Sequence, residues 1–406
     1  MTATIIITFC VLLLIAYIFD ITSSKTKIPS VILLLALGWV LKISAGLFRI
    51  PIPDLEFILP LLGTAGLVLI VLDGSLDLEL DKSKFTPIAR SFAGATFSVL
   101  IVSFILAWLF AIFSATEFRQ ALINAIPISI ISSAIAIPST KHLCRKNKEF
   151  VVYDTSFSDV MGVIFFTFIT INYVYTLESF LTFGLQMLQM LFISIIATAI
   201  LSFLLSRMKH QIKFIPIILL VMLIYSLAEL FHLPALIFIL LFGIAIGNLD
   251  KIIAFPFINT TMTDSLEKEV TRFKQITTEL TFLIRSLFFM VFGFMIETKD
   301  ILDFKSLIWA IVIISIALGI RTIQLKLTKQ KLMPLLFILP RGLITILLFM
   351  SIAPELQISF VTRNLILQVI VISTLIMTIG TATSGKANKA ATASTEETVK
   401  NNNTIK

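Results

Sequence analysis

The sequence predicts an all-α polytopic membrane protein with about 13 transmembrane helices. Three observations predict it. Of 406 residues, 58% are hydrophobic and only 14% charged, where a soluble domain carries roughly 25% charged residues. The apolar residues gather in thirteen runs, each near the ~20 residues an α-helix needs to cross hydrocarbon. The basic residues collect in alternate connections, which is how membrane helices encode their orientation.

The runs follow in order along the chain. The first, 3–20, has no basic segment before it and no small-residue cleavage site, so it reads as a retained span rather than a signal peptide. Run 28–46 opens on Pro29 and reaches Gly38. Run 57–78 carries Asp73-Gly74, and 88–113 follows. Run 120–140 holds Ser129, Ser132, Ser133, Pro138, Ser139 and Thr140. Proline removes a backbone donor, and hydroxyls satisfy groups freed by an unwound turn, so a break is predicted here. Run 151–175 carries Tyr153-Asp154-Thr155-Ser156-Phe157-Ser158-Asp159. Run 184–206 is featureless and reads as a linker helix. Runs 214–231 and 233–249 follow, the second opening on Pro234 and reaching Gly243. The 250–275 connection is charged and predicts an amphipathic helix. Runs 276–297 and 305–327 carry Arg285 and Arg321. Run 333–352 contains Leu339-Pro340-Arg341-Gly342, a second predicted break, and 360–381 is the last span. Residues 382–406, rich in Thr, Ala, Lys and Asn, predict a disordered cytoplasmic tail after the 1–381 membrane domain.

With the N-terminus outside and the C-terminus inside, 23 of the 32 basic residues fall on the cytoplasmic side. Six (Lys42, Arg49, Arg119, Lys299, Lys305, Arg363) fall outside, and Arg285, Arg321 and Arg341 lie within spans. This bias accounts for the net charge of +8 as an orientation signal, and predicts no nucleic-acid partner. The lipid bilayer is the expected surrounding, in a bacterial-type inner membrane.

Two copies of one pattern are visible. Ile28-Pro29-Ser30…Gly38 is echoed by Leu233-Pro234-Ala235…Gly243, and Val71-Leu72-Asp73-Gly74 by Met290-Val291-Phe292-Gly293. In each case the two copies run in opposite directions across the membrane. The repeats span about 3–175 and 214–381, with 184–206 between them. Inverted repeats with discontinuous helices are the architecture of alternating-access transporters.

The Asp154–Asp159 segment is the chemical focus. A charged side chain at the bilayer centre costs roughly 3 kcal/mol on insertion scales, and such groups face aqueous paths or partners. On a helix, Asp154 stacks with Ser158 and Thr155 with Asp159. Hard cations take carboxylate, hydroxyl and carbonyl oxygens, and Asp159, Ser158, Thr155, Ser132 and Ser133 supply them. Asp154 reads either as an acid that pairs with an intramembrane arginine or as a solvated cap at the helix start. Arg321 reads as a core partner or as a snorkelling residue. Arg341 is expected to tether unwound carbonyls. Arg285 has Glu279, Glu297 or Asp73 as candidate partners, and Asp73 is either a further site ligand or an interfacial acid. Cys10 and Cys144 lie too far apart for a disulfide, and the three histidines form no zinc pattern. No enzyme is predicted, because His–acid catalytic pairs are missing from the sequence.

These motifs together resemble the monovalent cation/proton antiporter superfamily, most nearly its NhaP-type sodium/proton members. The resemblance rests on Ile28-Pro29-Ser30…Gly38, Ala228-Glu229-Leu230…Leu233-Pro234-Ala235-Leu236…Gly243, Phe288-Phe289-Met290-Val291-Phe292-Gly293 and Arg341-Gly342. It covers about residues 1–381 and implies an NhaA-like fold and a homodimer. Asp154-Thr155-Ser156-Phe157-Ser158-Asp159 is similar to the family's Glu-Ser-x-x-Asn-Asp motif. By that resemblance Asp159 binds cation and proton in turn, and Asp154 pairs with Arg321. Ser-Ser-Ala-Ile-Ala stands where many members have Thr-Asp-Pro, and Ser158 replaces an Asn or Asp that separates exchange stoichiometries. No nucleotide-binding regulatory domain follows residue 381, so neither a nucleotide nor a cofactor is expected.

The function read from this is exchange of a monovalent cation, Na+ foremost, for H+ at Asp159, serving pH homeostasis. A K+/H+ antiporter and a sodium-coupled symporter of an organic anion are the alternatives on the same scaffold.

Overall fold

The computed structural model describes residues 2–26, 29–47, 58–78, 85–140, 143–207, 214–231, 233, 235–249, 263–297 and 303–403, with side chains at some helix ends outside the description. The regular elements among them are helical. They are α1 (Thr2–Thr26), α2 (Ser30–Leu47), α3 (Ile58–Leu76), α4 (Phe85–Ser114), α5 (Phe118–Ser129), α6 (Ser133–Ser139), α7 (Arg145–Ile171), α8 (Leu177–Arg207), α9 (Phe214–Leu230), α10 (Ala235–Gly247), α11 (Thr263–Met295), α12 (Phe304–Leu327), α13 (Leu343–Met350) and α14 (Arg363–Asn403). Short 3-10 turns, Leu335–Phe337 and Pro354–Leu356, flank α13.

Among the described residues, nine helical segments are long and apolar enough to cross a membrane. Three shorter apolar helices, Cys10–Thr22, Phe214–Leu230 and Ala235–Gly247, add to them. With the interrupted 335–350 segment, each of the thirteen apolar runs has a helical counterpart.

Several helices extend beyond their apolar runs. α7 begins at Arg145, six residues ahead of the run that starts at 151, with Cys144 extended (φ −60°, ψ 150°) as its N-cap. An Arg145–Glu149 ion pair at 3.1 Å braces its first turn. The amphipathic helix expected in 250–275 is no separate element over the part described: from Thr263 it runs straight into the following span as α11. Of the disordered tail expected over 382–406, Ala382 and Thr383 continue α14, and the side chains from 384 onward lie outside the description, as do the three histidines.

Two groups of helices pack against each other. α2 lies along α11, α11 along α3, and α3 along α10, while α4 packs on α5 and α7, and α12 on α14 and α4. Glycines set the closest approaches in the first group. A Cβ on Gly38 would strike the α11 backbone at Met290 and Gly293, and one on Gly293 would strike Leu35 of α2. In the same way, a Cβ on Gly243 or Gly247 of α10 would strike α3 at Leu72, Ser75 and Leu76. Small residues let membrane helices approach backbone to backbone, where van der Waals contact is the main attraction. The Pro-then-Gly runs and the Asp73-Gly74 and Phe292-Gly293 runs therefore pair crosswise, the α2 motif on α11 and the α10 motif on α3.

Both predicted breaks are present. α5 stops at Ser129 and α6 starts at Ser133, with Ile130 and Ser132 extended. The second break runs from Ile338 to Gly342, ahead of α13.

Candidate functional site

The two breaks meet. The Ser132 N–H donates to the Pro340 carbonyl at 2.8 Å, and Gly342 sits so close that a Cβ there would lie 2.6 Å from Ser132 Oγ. Ile131, Leu339 and Ala317 of α12 form a small apolar cluster beside this contact. Unwinding leaves N–H and carbonyl groups without helical partners inside the protein, where each must be satisfied.

Helix α7 brings its polar segment to that gap. Ser158 Oγ accepts from the Ile131 N–H at 2.9 Å. Asp159 Oδ2 accepts from the Ser133 N–H at 3.2 Å. Asp159 is 2% exposed, and its Oδ1 is buried with no hydrogen-bond partner. Ser132 Oγ, Ser156 Oγ and Thr345 Oγ1 are also buried without partners. The Thr155 hydroxyl donates back along its own helix to the Val151 carbonyl at 2.8 Å, so toward a cation it offers only lone pairs. Unpartnered buried oxygens are rare in folded proteins, and each one asks for an explanation. Carboxylate and hydroxyl oxygens of this kind are the donor chemistry of a hard cation.

Asp154 is in a different environment. It is 0% exposed, well inside α7, so it is no solvated cap. Arg321 Nη1 donates to its Oδ2 at 2.5 Å, and Gln324 Nε2 donates to its Oδ1 at 2.6 Å. Gln324 Oε1 accepts from the same Arg321 Nη1 at 2.8 Å. Arg321 is 1% exposed, so it does not snorkel; the Asp154–Arg321 pairing is present. Both oxygens of Asp154 are filled, while one of Asp159 is open. Gln324 escaped the sequence reading; its signal was an amide three residues after Arg321, on the same face of the helix.

The remaining candidates lie around this centre. The Arg341 N–H donates to Ser373 Oγ at 3.0 Å, so its backbone, held by α14, does the tethering; its Nη1 is buried without a partner. Arg285 meets a partner that was not expected. Its Nη2 lies 3.5 Å from Asp20 Oδ1 of α1, its Nη1 donates to the Ala134 carbonyl of α6 at 3.4 Å, and of the expected acids Asp73 is near enough to act on its charge. Asp73 accepts from Thr278 Oγ1 of α11 at 2.6 Å, and Lys274 pairs with Asp77 beside it. Asn124 of α5 donates to the Leu356 carbonyl at 2.7 Å, fastening the loop after α13.

Two cavities flank α7. One of about 260 Å³ is lined by Asp77, Arg145, Lys148, Glu149, Tyr153 and Lys274. The other, about 550 Å³, has Val163, Thr167 and Thr170 of α7 on one wall and Tyr225 and Glu229 of α9 on another. At ~1.5 Å per residue, Asp159 lies about 9 Å along the helix from Tyr153 and about 6 Å from Val163. The described residues hold no cluster of three or more His, Cys, Asp or Glu that would bind a resident metal.

Comparison with known proteins bears on the family and the fold. The family described as sodium/hydrogen exchanger, transmembrane, matches residues 10–387. The fold is similar to a structure of the sodium proton antiporter MjNhaP1 from Methanocaldococcus jannaschii at pH 8. That match has a TM-score of 0.69 and 16% identity, over 93% of this chain and 99% of that one. An electron-microscopy map of the same antiporter matches with a TM-score of 0.66 and 15% identity, over 96% and 97% of the two chains. Comparison with curated sequences returns no match.

Proposed function

This chain belongs to the sodium/hydrogen exchanger family, and on that premise we propose that it exchanges sodium for protons by competition at Asp159. One observation carries the reading. Asp159 is buried at the crossing of two broken helices, with one oxygen on a backbone N–H and the other without a partner. A bare carboxylate is costly in a low-dielectric interior. A proton neutralises it, and so does a cation held by Oδ1 together with the oxygens of Ser158, Thr155 and Ser132. The two occupants need the same oxygen, so loading one expels the other. Exchange follows if only the occupied site passes between the two sides.

The rest of the site supports this division of labour. Asp154 and Arg321 cancel each other's charge beside the crossing. The cavities at either end of the Tyr153–Val163 stretch lie on opposite sides of Asp159 along α7, as alternating access requires. If Asp159 alone cycles, one sodium replaces one proton and exchange is electroneutral. The N-terminus outside and the C-terminus inside is the orientation the basic residues favour. Contacts between connections agree with it: Lys274 meets Asp77, and Arg119 meets the Thr170 and Asn172 carbonyls, each pair assigned to one side. A homodimer in the bilayer follows from the family resemblance.

The test is exchange by the purified protein in acid-loaded proteoliposomes, against Na+, Li+ and K+, with a voltage probe alongside. Sodium alone should raise the internal pH without any organic substrate, and Asp159→Asn should abolish the response. Sodium-driven proton flux that survives in Asp159→Asn would overturn the assignment.

A further inference from the structure

Two carboxylates lie five residues apart on α7, both almost fully buried, and chemistry must choose between them. The choice is written in Gln324. Arginine has donors only, so the Gln324 oxygen must face Arg321 Nη1, and its nitrogen then faces Asp154 Oδ1. The amide orientation is forced by its neighbours and completes a closed ring of Asp154, Arg321 and Gln324. One turn on, Thr328 Oγ1 donates to the Gln324 backbone carbonyl at 2.9 Å, which places Thr328 beside the ring. On α4, a Cβ at Gly94 would lie 2.6 Å from Thr328 Cγ2 and 3.3 Å from Gln324 Nε2, so a side chain there would crowd Thr328 first and the amide beside it.

We infer that Gln324 is a positioning residue that keeps Asp154 out of the proton and cation traffic, leaving Asp159 the single exchanging carboxylate. The inference rests on the antiport reading above. Each oxygen of Asp154 already accepts from Arg321 or Gln324, donors that favour the charged form and compete with a proton or a cation for it, whereas Oδ1 of Asp159 has no such donor. Without the amide, Oδ1 of Asp154 becomes an open acceptor like Oδ1 of Asp159, and a second group enters the exchange.

Infrared difference spectra of the purified full-length protein, with and without Na+, count the carboxyl groups that lose a proton on cation binding. The wild type should lose one protonated-carboxyl band, and Asp159→Asn should lose none. Gln324→Leu should show a second band, which Asp154→Asn in the same chain removes. In liposomes, Gln324→Leu should turn voltage-sensitive, and should have no further effect in an Asp154→Asn background. A wild type with two bands, one of them removed by Asp154→Asn, overturns the inference even if Gln324→Leu fails to fold. So does a Gln324→Leu spectrum that superimposes on the wild type. A band and sodium-driven flux that persist in Asp159→Asn overturn the assignment of exchange to Asp159, and a wild type without sodium-driven proton flux overturns the antiport reading itself, both separable outcomes.

Discussion

Ser132 and Pro340 join the two interrupted helices backbone to backbone, N–H to carbonyl at 2.8 Å. This bond fixes where the neighbouring Ser133 N–H points, and that N–H holds Asp159. The position of the Asp159 carboxylate is therefore set by two chain segments about 200 residues apart in sequence. Neither segment alone would hold it.

Gly342 is the tightest point of the join. An added Cβ would lie 2.6 Å from Ser132 Oγ and 2.8 Å from Ile135 Cδ1, inside any real contact distance. Gly342→Ala should push the breaks apart and cost roughly 1–3 kcal/mol, as overpacking does. Thermal unfolding in detergent should fall, and exchange should fall further, because Asp159 loses its fixed donor. Wild-type exchange in this variant would mean that the join does not govern the site.

The Asp154–Arg321 pair predicts an asymmetry. Removing one partner of a buried pair leaves an uncompensated charge and costs roughly 3–5 kcal/mol, whereas replacing both with apolar groups is far milder. Arg321→Met should therefore unfold at markedly lower temperature than the wild type, with only Gln324 left on Asp154. Arg321→Met combined with Asp154→Leu should recover much of the loss. Additive losses in the double variant would show that the pair contributes through packing, not charge.

The glycine approaches predict which substitutions the scaffold rejects. Gly38→Val and Gly243→Val should each sharply reduce the amount of folded protein, since the first would drive a side chain into the α11 backbone and the second into Ser75 of α3. Gly46→Ala, Gly184→Ala and Gly319→Ala meet nothing within 4 Å. They should be neutral or slightly stabilising, because alanine is favoured over glycine inside a helix by about 1 kcal/mol. Size-exclusion profiles of detergent extracts would separate the two groups.

The same residues show what a sequence reveals and what it withholds. Proline, glycine and hydroxyls inside apolar runs marked both breaks, because those residues act on their own backbone. Asp154 was legible as a candidate partner for an intramembrane arginine because buried opposite charges must find each other, and only the family resemblance pointed to Arg321. Helix starts were not legible: hydropathy marks where hydrocarbon begins, and α7 and α11 continue past that boundary into water. Gln324 was missed because an uncharged amide near a helix end looks interfacial until packing puts α4 over it. The partner of Arg285 was missed because Asp20 is a neighbour only once α1 has packed beside α11, 265 residues away. Periodicity shows which face a residue occupies and not what lies opposite.

Orientation yields the last prediction, and it uses a native probe. Cys144 precedes α7 and is exposed, as is Cys10 of α1. Cys144 adjoins Arg145, Lys146 and Lys148, a basic cluster that the positive-inside bias assigns to the cytoplasm. In a Cys10→Ala background, a membrane-impermeant maleimide should label inside-out vesicles and leave right-side-out vesicles untouched. Labelling from the outside would invert the topology. The charged 260 Å³ cavity beside Arg145 would then open to the exterior, and protons would enter past Tyr153 instead of leaving there.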